Sequence, residues 1–265
     1  MRFDDVDASG DGERHAQVLA TLARTLAPMR RGTLARLGIG PGIALLDAGC
    51  GAGDLAVEVA HQVRPGGRVV GVDTSRDLLG RARAAARLAS VEPEFLLADI
   101  TDLPFADGEF DVVRSERVLQ HLEPAAAPTA ARELLRVVKP GGLVQVLDPD
   151  HLQTAIDATD RELTRLIVER FASYARNPES GLRLAGLIRS AGGTGVEIDI
   201  WPLTITRLAA FQATHDVARE LDGLVTSGEL EPARAAAYLA DLEARDRAGA
   251  FLATIISYAV TAVKA

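Results

Sequence analysis

The sequence predicts an α/β fold built on a parallel sheet, and three observations carry that prediction. Short apolar runs alternate with longer segments of helical periodicity from Ile43 to Leu147. The first run ends in Asp47-Ala48-Gly49-Cys50-Gly51-Ala52-Gly53-Asp54, an acidic residue followed by glycines at alternate positions. Three successive apolar runs close on a carboxylate, at Asp47, Asp73 and Asp99. Ligands of parallel sheets lie outside the carboxyl ends of the strands, near the point where strand order reverses, so these acids point at one crevice.

Length and composition bound the rest. At 265 residues, 48% hydrophobic and 25% charged, the chain suits one large domain or a core with an elaboration. A single cysteine excludes an internal disulfide framework, and no apolar run is long or clean enough for a membrane span or a secretory signal. A cytoplasmic protein with no membrane partner is expected. The net charge of -8, with no basic tract beyond Arg30-Arg31, argues against a nucleic-acid partner and for a small or uncharged one. No His/Cys/Glu set has metal-ligand spacing, so no metal is expected.

Residues 1–40 carry helical periodicity in two pieces: Ala16, Val18, Leu19, Leu22 and Leu26, then Leu34 and Leu37 after a break at Pro28. Gly40-Pro41-Gly42 is a turn. Ile43 to Leu46 is the first strand, and Asp54 caps a helix from Leu55 to Val63. Glycine lets backbone approach a ligand and tolerates positive φ, while the helix N-terminus aims free N–H groups into the same space. The D-x-G-x-G-x-G spacing is not the dinucleotide G-x-G-x-x-G and lacks its third glycine, which closes a helix-to-strand contact. Asp47 stands where a pyrophosphate wants no anion and a ligand ammonium welcomes one. An empty strand-to-helix turn is the structural alternative.

Arg68 to Val72 is the second strand, with Asp73-Thr74-Ser75 at its end. Asp73 lies 20 residues past Gly53, the offset at which a strand-end carboxylate meets ribose hydroxyls in nucleotide-binding α/β folds. Ser75 suits a helix N-cap. The helix Arg76 to Leu88 leads to a third strand, Glu94 to Ala98, closing on Asp99-Ile100. Phe110 to Val113 is the fourth, and the charge-dense stretch Arg114 to Leu122 leaves it. Charges so close to a buried strand pair with each other at the rim, or meet a charged ligand, or both. A helix from Ala125 to Val138 stops at Lys139-Pro140-Gly141-Gly142, and strand five, Leu143 to Leu147, ends in Asp148-Pro149-Asp150-His151. His151 is the best single candidate for a general base, because its unperturbed pKa near 6.5 suits proton removal near neutral pH. An exposed loop histidine is the alternative.

Beyond it, helices are expected over Thr159 to Tyr174 and Leu182 to Ser190, then a strand from Val196 to Ile205 in which Trp201-Pro202 marks an edge or bulge. Leu208 to Leu224 and Glu231 to Arg247 form a helical pair turned at Ser227-Gly228, and Phe251 to Val263 is the last strand. Helices inserted between the last two strands make a lid, about 206–248. Arg207, Phe211, His215 and Tyr238 are its candidate lining, with surface helix packing as the default.

Asp47 to Gly53 resembles the first motif of the class I S-adenosylmethionine-dependent methyltransferases, an acidic residue followed by G-x-G-x-G. Leu103 to Asp111 matches the L-P-F-x-D-x-x-F-D run of the same family, particularly its quinone-biosynthesis-like branch, and Arg136 to Gly142 its R-x-x-K-P-G-G. The resemblance covers about Arg31 to Asp150. It implies a doubly wound, Rossmann-like, seven-stranded, mostly parallel sheet with helices on both faces. Residues 1–40 would fold over the cofactor pocket, 41–150 would form the cofactor core, and 151–265 would complete the domain with the lid.

The cofactor implied is S-adenosylmethionine, leaving as S-adenosylhomocysteine, held at Asp47, Gly49 and Gly51. By the same resemblance Arg31 reaches its carboxylate and Asp73 its ribose, with Thr74 and Leu78 against ribose and base. Asp99 takes the adenine amino group, Ile100 the ring face, Ser115 the methionine portion, and Gln120 lies near the sulfonium. His121 falls where many relatives carry a histidine and is a second catalytic candidate, a packed, hydrogen-bonded histidine being the alternative. Glu116 and Arg117 depart from the more apolar residues common at those sites. The implied acceptor is a bacterial secondary metabolite or quinone-like small molecule, methylated on oxygen or carbon ahead of nitrogen, and a homodimer stays open. Two rivals remain: a protein of this fold that binds the cofactor and catalyses a ring closure or rearrangement, and a non-catalytic binding protein.

Overall fold

Five apolar runs separated by crossovers, rather than hairpin turns, pair in parallel. In the computed structural model, which describes residues 26–265, they are β1 (Ala44–Ala48), β2 (Arg68–Asp73), β3 (Glu94–Leu97), β4 (Phe110–Glu116) and β5 (Val138–Ile156). With β6 (Gly193–Ile205) and β7 (Ala253–Lys264) they form one seven-stranded sheet of order β3-β2-β1-β4-β5-β7-β6, in which β7 runs antiparallel to both neighbours. Strand order reverses between β1 and β4, which puts the crevice beyond the ends of those two strands.

Alternation along each central strand buries both faces. Leu46, Val113 and Val144 face α4 (Ala127–Val137) and α6 (Ser180–Ser190) through Leu134 and Ile188. Their neighbours Leu45 and Val112 face α2 (Asp54–Val59) and α3 (Arg76–Leu88) through Val59 and Leu79. A separate core lies past the strand ends. There α5 (Arg161–Ala172), α7 (Leu208–Gln212), α8 (Val217–Thr226) and α9 (Pro232–Arg247) bury Ile167, Phe211, Leu224 and Leu242 with Ile156, Ile205 and Phe251. The lid is a packed unit rather than a flap.

A helix, α1, is described over 26–34 and runs through Pro28, where a break was expected. Packing decides this: Leu26 and Met29 are buried against Leu147 and Ala259. Gly32 lets the helix sit on the edge strand, since a Cβ there would come within 2.4 Å of the Trp201 ring. The expected positions Ala16, Val18, Leu19 and Leu22 lie outside the described residues.

Other departures have local causes. Strand β5 starts at Val138, with Pro140-Gly141-Gly142 absorbed by a register shift opposite Phe110 to Val112 instead of forming a separate turn. It continues past Leu147, where pairing with β4 ends and only β7 remains, so Pro149 interrupts a ladder on one flank at most. The helix expected from Leu208 to Leu224 is split. The Asp216 side chain accepts the Arg219 N–H at 3.1 Å and caps α8, leaving His215 in the gap. Gly53, not Asp54, precedes α2, with Asp54 as its first residue, while Ser75 caps α3 by accepting the Leu78 N–H at 3.1 Å. Trp201 and Pro202 lie on β6, the edge strand.

Candidate active site

The glycine turn between β1 and α2 uses its three glycines differently. All have positive φ, at 82°, 54° and 82° for Gly49, Gly51 and Gly53. A Cβ on Gly49 would lie 2.2 Å from Val118 Cγ2, and one on Gly53 would lie 2.8 Å from Ala82 of α3. Gly53 therefore allows the turn to pack closely against α3 and the Phe95 ring. Only at Gly51 would a Cβ point into open space. The turn is pinned from β2, where Asp73 Oδ2 accepts the Gly51 N–H at 2.8 Å and Oδ1 accepts the Ser75 N–H at 2.9 Å.

A cavity of about 360 Å³ opens over this turn. The three strand-end acids Asp47, Asp73 and Asp99 border it together with Gly49, Gly51, Thr74, Leu78, Ile100 and His121, and α1 roofs it with Leu26 and Arg30. Burial pushes the Asp47 carboxyl up to about 7; Arg114 and Arg30 oppose that shift, and Glu116 and Asp73 add to it. Asp99 Oδ1 accepts the N–H and hydroxyl of Thr101, at 2.8 and 2.7 Å.

Three expected residues are elsewhere. Arg31 is exposed and away from the cavity; Arg30, one residue earlier and four past the buried Leu26, takes the roof position. The helical phase of Leu26, Met29 and Thr33 carried that signal. Ser115 is buried, and its Oγ has no hydrogen bond among the described residues. Gln120 borders a second cavity and not this one.

The charged exit of β4 pairs largely with itself and with α1. Glu116 takes Arg30 Nε and Nη2 at 3.3 Å each and Arg114 Nη2 at 2.8 Å. Burial disfavours its charge, but the two arginines outweigh burial and hold it below the usual carboxylate range. Arg114, with no exposed side-chain surface, also donates to Thr33 Oγ1 at 3.1 Å and to Gln145 Oε1. Gln145 Nε2 in turn donates to Thr33 O and Thr261 Oγ1. This network ties α1 to β4, β5 and β7.

The second cavity, about 160 Å³, lies between the sheet end and the lid, and Leu26, Arg117 and His121 border both cavities. His151 belongs to this one. Gln120 Nε2 donates to Arg117 O at 3.0 Å, which turns Gln120 Oε1 toward His151 Nε2 at 2.7 Å. The ring therefore donates from Nε2 and keeps its lone pair on Nδ1. Burial first, then Arg117, His215 and His121, pushes His151 down to about 3, so the near-neutral basicity expected of it is absent. Burial and Arg117 push His215 down to about 4; its ring stacks on Phe211 at 4.8 Å. Behind Gln120, Asp148 accepts its N–H at 3.1 Å and is pushed up to about 7 by burial.

Of the residues expected to line the lid, His215 does so. Phe211 and Tyr238 are buried in the lid's own core, while Arg207 is exposed and paired with Asp246 at 3.1 Å. Tyr174, Thr214 and Arg219 complete the wall and carried no motif. Among the described residues no acid, histidine or cysteine group could hold a metal ion, and no helix is long and apolar enough to cross a membrane.

A family model described as a methyltransferase domain matches residues 45–142. The chain is 35% identical over 226 residues to an uncharacterized 37.1 kDa protein in transposon TN4556 of Streptomyces fradiae, covering 84% of this chain and 63% of that protein. It is 32% identical over 196 residues to an uncharacterized protein of Mycobacterium tuberculosis, covering 72% and 68%. Over 123 residues it is 36% identical to the demethylmenaquinone methyltransferase of Lactococcus lactis, covering 46% and 48%. The chain thus spans about half to two thirds of the length of these relatives. Among solved structures, the YcgJ protein of Bacillus subtilis superposes with a TM-score of 0.61 at 19% identity, covering 91% of this chain and 98% of that one, a likeness of fold.

Proposed function

The chain belongs to the methyltransferase-domain family, and from that premise we propose that it transfers a methyl group from S-adenosylmethionine to a small-molecule acceptor. The observation that carries this reading is the pair of adjoining cavities, one over the glycine turn and the strand-end acids, the other under the lid, with Arg117 and His121 bordering both. A donor and an acceptor held in adjoining spaces react as one unit, which is where positioning lowers a barrier.

The residues of the first cavity fit that cofactor. Open space at the missing Gly51 Cβ lets a flat ligand lie on main chain. Asp47 would meet the ammonium group, whose charge compensates the cost of ionising so buried an acid. Arg30, rather than Arg31, would meet the carboxylate. Asp73, which borders the cavity with Thr74 and Leu78, would meet the ribose hydroxyls, Asp99 would accept from the adenine amino group, and Ile100 would cover the ring. When bound, the cofactor supplies an activated methyl group on a cationic sulfur.

Ser115 has no part in this reading, and Gln120 orients His151 instead of approaching the sulfur. His151, neutral and with its Nδ1 lone pair, is the candidate proton acceptor for a hydroxyl that grows acidic as its oxygen is methylated; His121, at the junction, is the alternative. Methylation on oxygen or carbon, a quinone-like or secondary-metabolite acceptor, and a cytoplasmic site of action belong to the same reading. The similarity to a demethylmenaquinone methyltransferase supports it. Calorimetric titration with S-adenosylmethionine, S-adenosylhomocysteine and NAD tests it. Selective binding of the first two at about micromolar affinity, on the order of -8 kcal/mol, is expected, and binding of NAD alone, or of nothing, overturns it.

A further inference from the structure

Among the described residues, Arg117 is a cation bordering both cavities that the internal pairing leaves over. Arg30 and Arg114 share Glu116, and Arg176 pairs with Glu123 at 3.1 Å. The Arg117 guanidinium borders both cavities and makes no hydrogen bond or ion pair among the described residues. Asp148 and Glu116 lie close enough to favour its charge but beyond ion-pair distance, and burial pulls its pKa down. Its backbone is also held where a side chain is costly: φ is +62° at the end of β4, with its N–H donating to Leu147 O at 2.7 Å and its C=O accepting from Gln120. A strained backbone and a half-buried cation without an ion-pair partner among the described residues suit a group kept for a ligand.

The two carboxylates that border the second cavity are engaged by other groups. Its Glu220 is already bound by Arg170 at 3.0 Å and by the Tyr174 hydroxyl, and its Asp216 caps α8. The other polar groups that border the space besides Arg117 are neutral or cationic: His151, His215, Thr214, Gln120 and Arg219. At about 160 Å³ the cavity is on the scale of the ~150 Å³ that accommodates one benzene ring.

We infer that the acceptor is a single-ring-sized molecule carrying an anionic oxygen, a carboxylate or a phenolate, that docks on the Arg117 guanidinium between the two cavities. This rests on the methyl-transfer reading for the word acceptor; the anion site itself stands on Arg117. A planar guanidinium offers two parallel N–H donors to a carboxylate and one or two to a phenolate. Such an anion gives Arg117 the direct ion pair it lacks among the described residues, and it sets the ring against the His215–Phe211 stack.

The test titrates the full chain, loaded with S-adenosylhomocysteine, with two matched pairs: benzoate against benzamide, and 4-nitrophenolate against 4-nitroanisole. At least one anion should bind at least about tenfold tighter than its neutral partner. Arg117→Gln should erase that preference, and Arg117→Lys should keep part of it. Preference for benzoate alone identifies a carboxylate, and for nitrophenolate alone a phenolate. The inference is overturned if anion and neutral partner bind equally, if neither pair binds, or if the preference survives in Arg117→Gln. Should Arg117→Gln fail to fold, the wild-type pairs and Arg117→Lys still decide. Should S-adenosylhomocysteine itself not bind, the methyl-transfer reading fails, and the same pairs on the unloaded protein still read the Arg117 site.

Discussion

Asp73 holds the Gly51 N–H at 2.8 Å, so the carboxylate at the end of one strand fixes the turn that leaves its neighbour. With its other oxygen on Ser75, the side chain is both a brace and a candidate ribose acceptor. Asp73→Ala should raise the dissociation constant for S-adenosylmethionine at least about tenfold and lower unfolding stability by about 1–3 kcal/mol, as two backbone donors lose their acceptor. Asp73→Asn must aim an NH2 group at one of those donors, so it should not restore stability fully. Calorimetry and urea unfolding measure the two effects, and unchanged affinity in both variants removes the ribose role.

Alanine substitutions at Gly49 and Gly51 should separate packing from binding. Both positions have positive φ, where a side chain costs about 1–2 kcal/mol. At Gly49 the added methyl also meets Val118, so overpacking raises the total to about 2–5 kcal/mol. At Gly51 the methyl enters the cavity without a clash. The smaller stability loss should therefore accompany the clear loss of cofactor affinity. The reverse ranking in thermal unfolding would contradict the assigned roles.

Buried titratable groups set opposing pH dependences. His151 and His215, pushed down from 6.5 to about 3 and 4, stay neutral in the fold while the unfolded chain protonates them. Their contribution is full above pH 6.5 and lost as pH falls toward about 4 for His215 and about 3 for His151. Asp47 and Asp148, pushed up from 3.8 to about 7, act the other way: their contribution is full below pH 3.8 and lost as pH rises toward 7. Each group can give at most about 1.4 kcal/mol per pH unit, so two against two nearly cancel between about pH 4.5 and 6.5. His151→Asn should tilt the curve so that stability falls with rising pH in that window, and Asp148→Asn should tilt it upward. Urea midpoints at the two ends check the signs, and slopes of the same sign in both variants overturn the assignment.

The two catalytic candidates differ in what they border. His121 adjoins both cavities and His151 only the second. His151→Ala should lower turnover and leave S-adenosylmethionine affinity intact, whereas His121→Ala should weaken both. Full turnover in His151→Ala removes it as proton acceptor.

The parts of the site that follow from local chain geometry were legible in the sequence. A strand, an acid and a glycine turn recur at fixed spacing, and Asp47, Asp73 and Asp99 border one cavity as their strand-end positions required. Arg30 was legible in principle, because it follows the buried Leu26 by one helical turn and Arg31 does not. Arg117 was not. Its meaning comes from what Glu116 does instead, pairing with an arginine 86 residues earlier in the chain. The basicity of His151 is lost for a similar reason, since burial by distant elements depresses it first, then Arg117 and His121 beyond β4 and His215 of the lid. The start of β5 at Val138 depends on the register shift that accommodates Pro140, which no pattern in strand five announces.

Glu116 should matter more to stability than the arginine that visibly straps α1 down. Removing it in Glu116→Ala leaves Arg114, whose side chain has no exposed surface, with the neutral hydrogen-bond partners Thr33 and Gln145 and the nearby Asp47 charge but no ion pair. Breaking a buried ion pair of that kind costs about 3–5 kcal/mol. Arg30→Ala leaves Glu116 still paired with Arg114 at 2.8 Å, and the lost side chain keeps 14% of its surface in water, so the cost should be about 1–2 kcal/mol. The functional order should be the opposite among variants that fold. Arg30 roofs the first cavity, and its loss should weaken S-adenosylmethionine binding while the unfolding midpoint moves less than in Glu116→Ala. Denaturant unfolding of the two variants, paired with calorimetry on Arg30→Ala, reads both orders. If Arg30→Ala unfolds as readily as Glu116→Ala, the strap and not the buried Arg114 is what Glu116 chiefly stabilises.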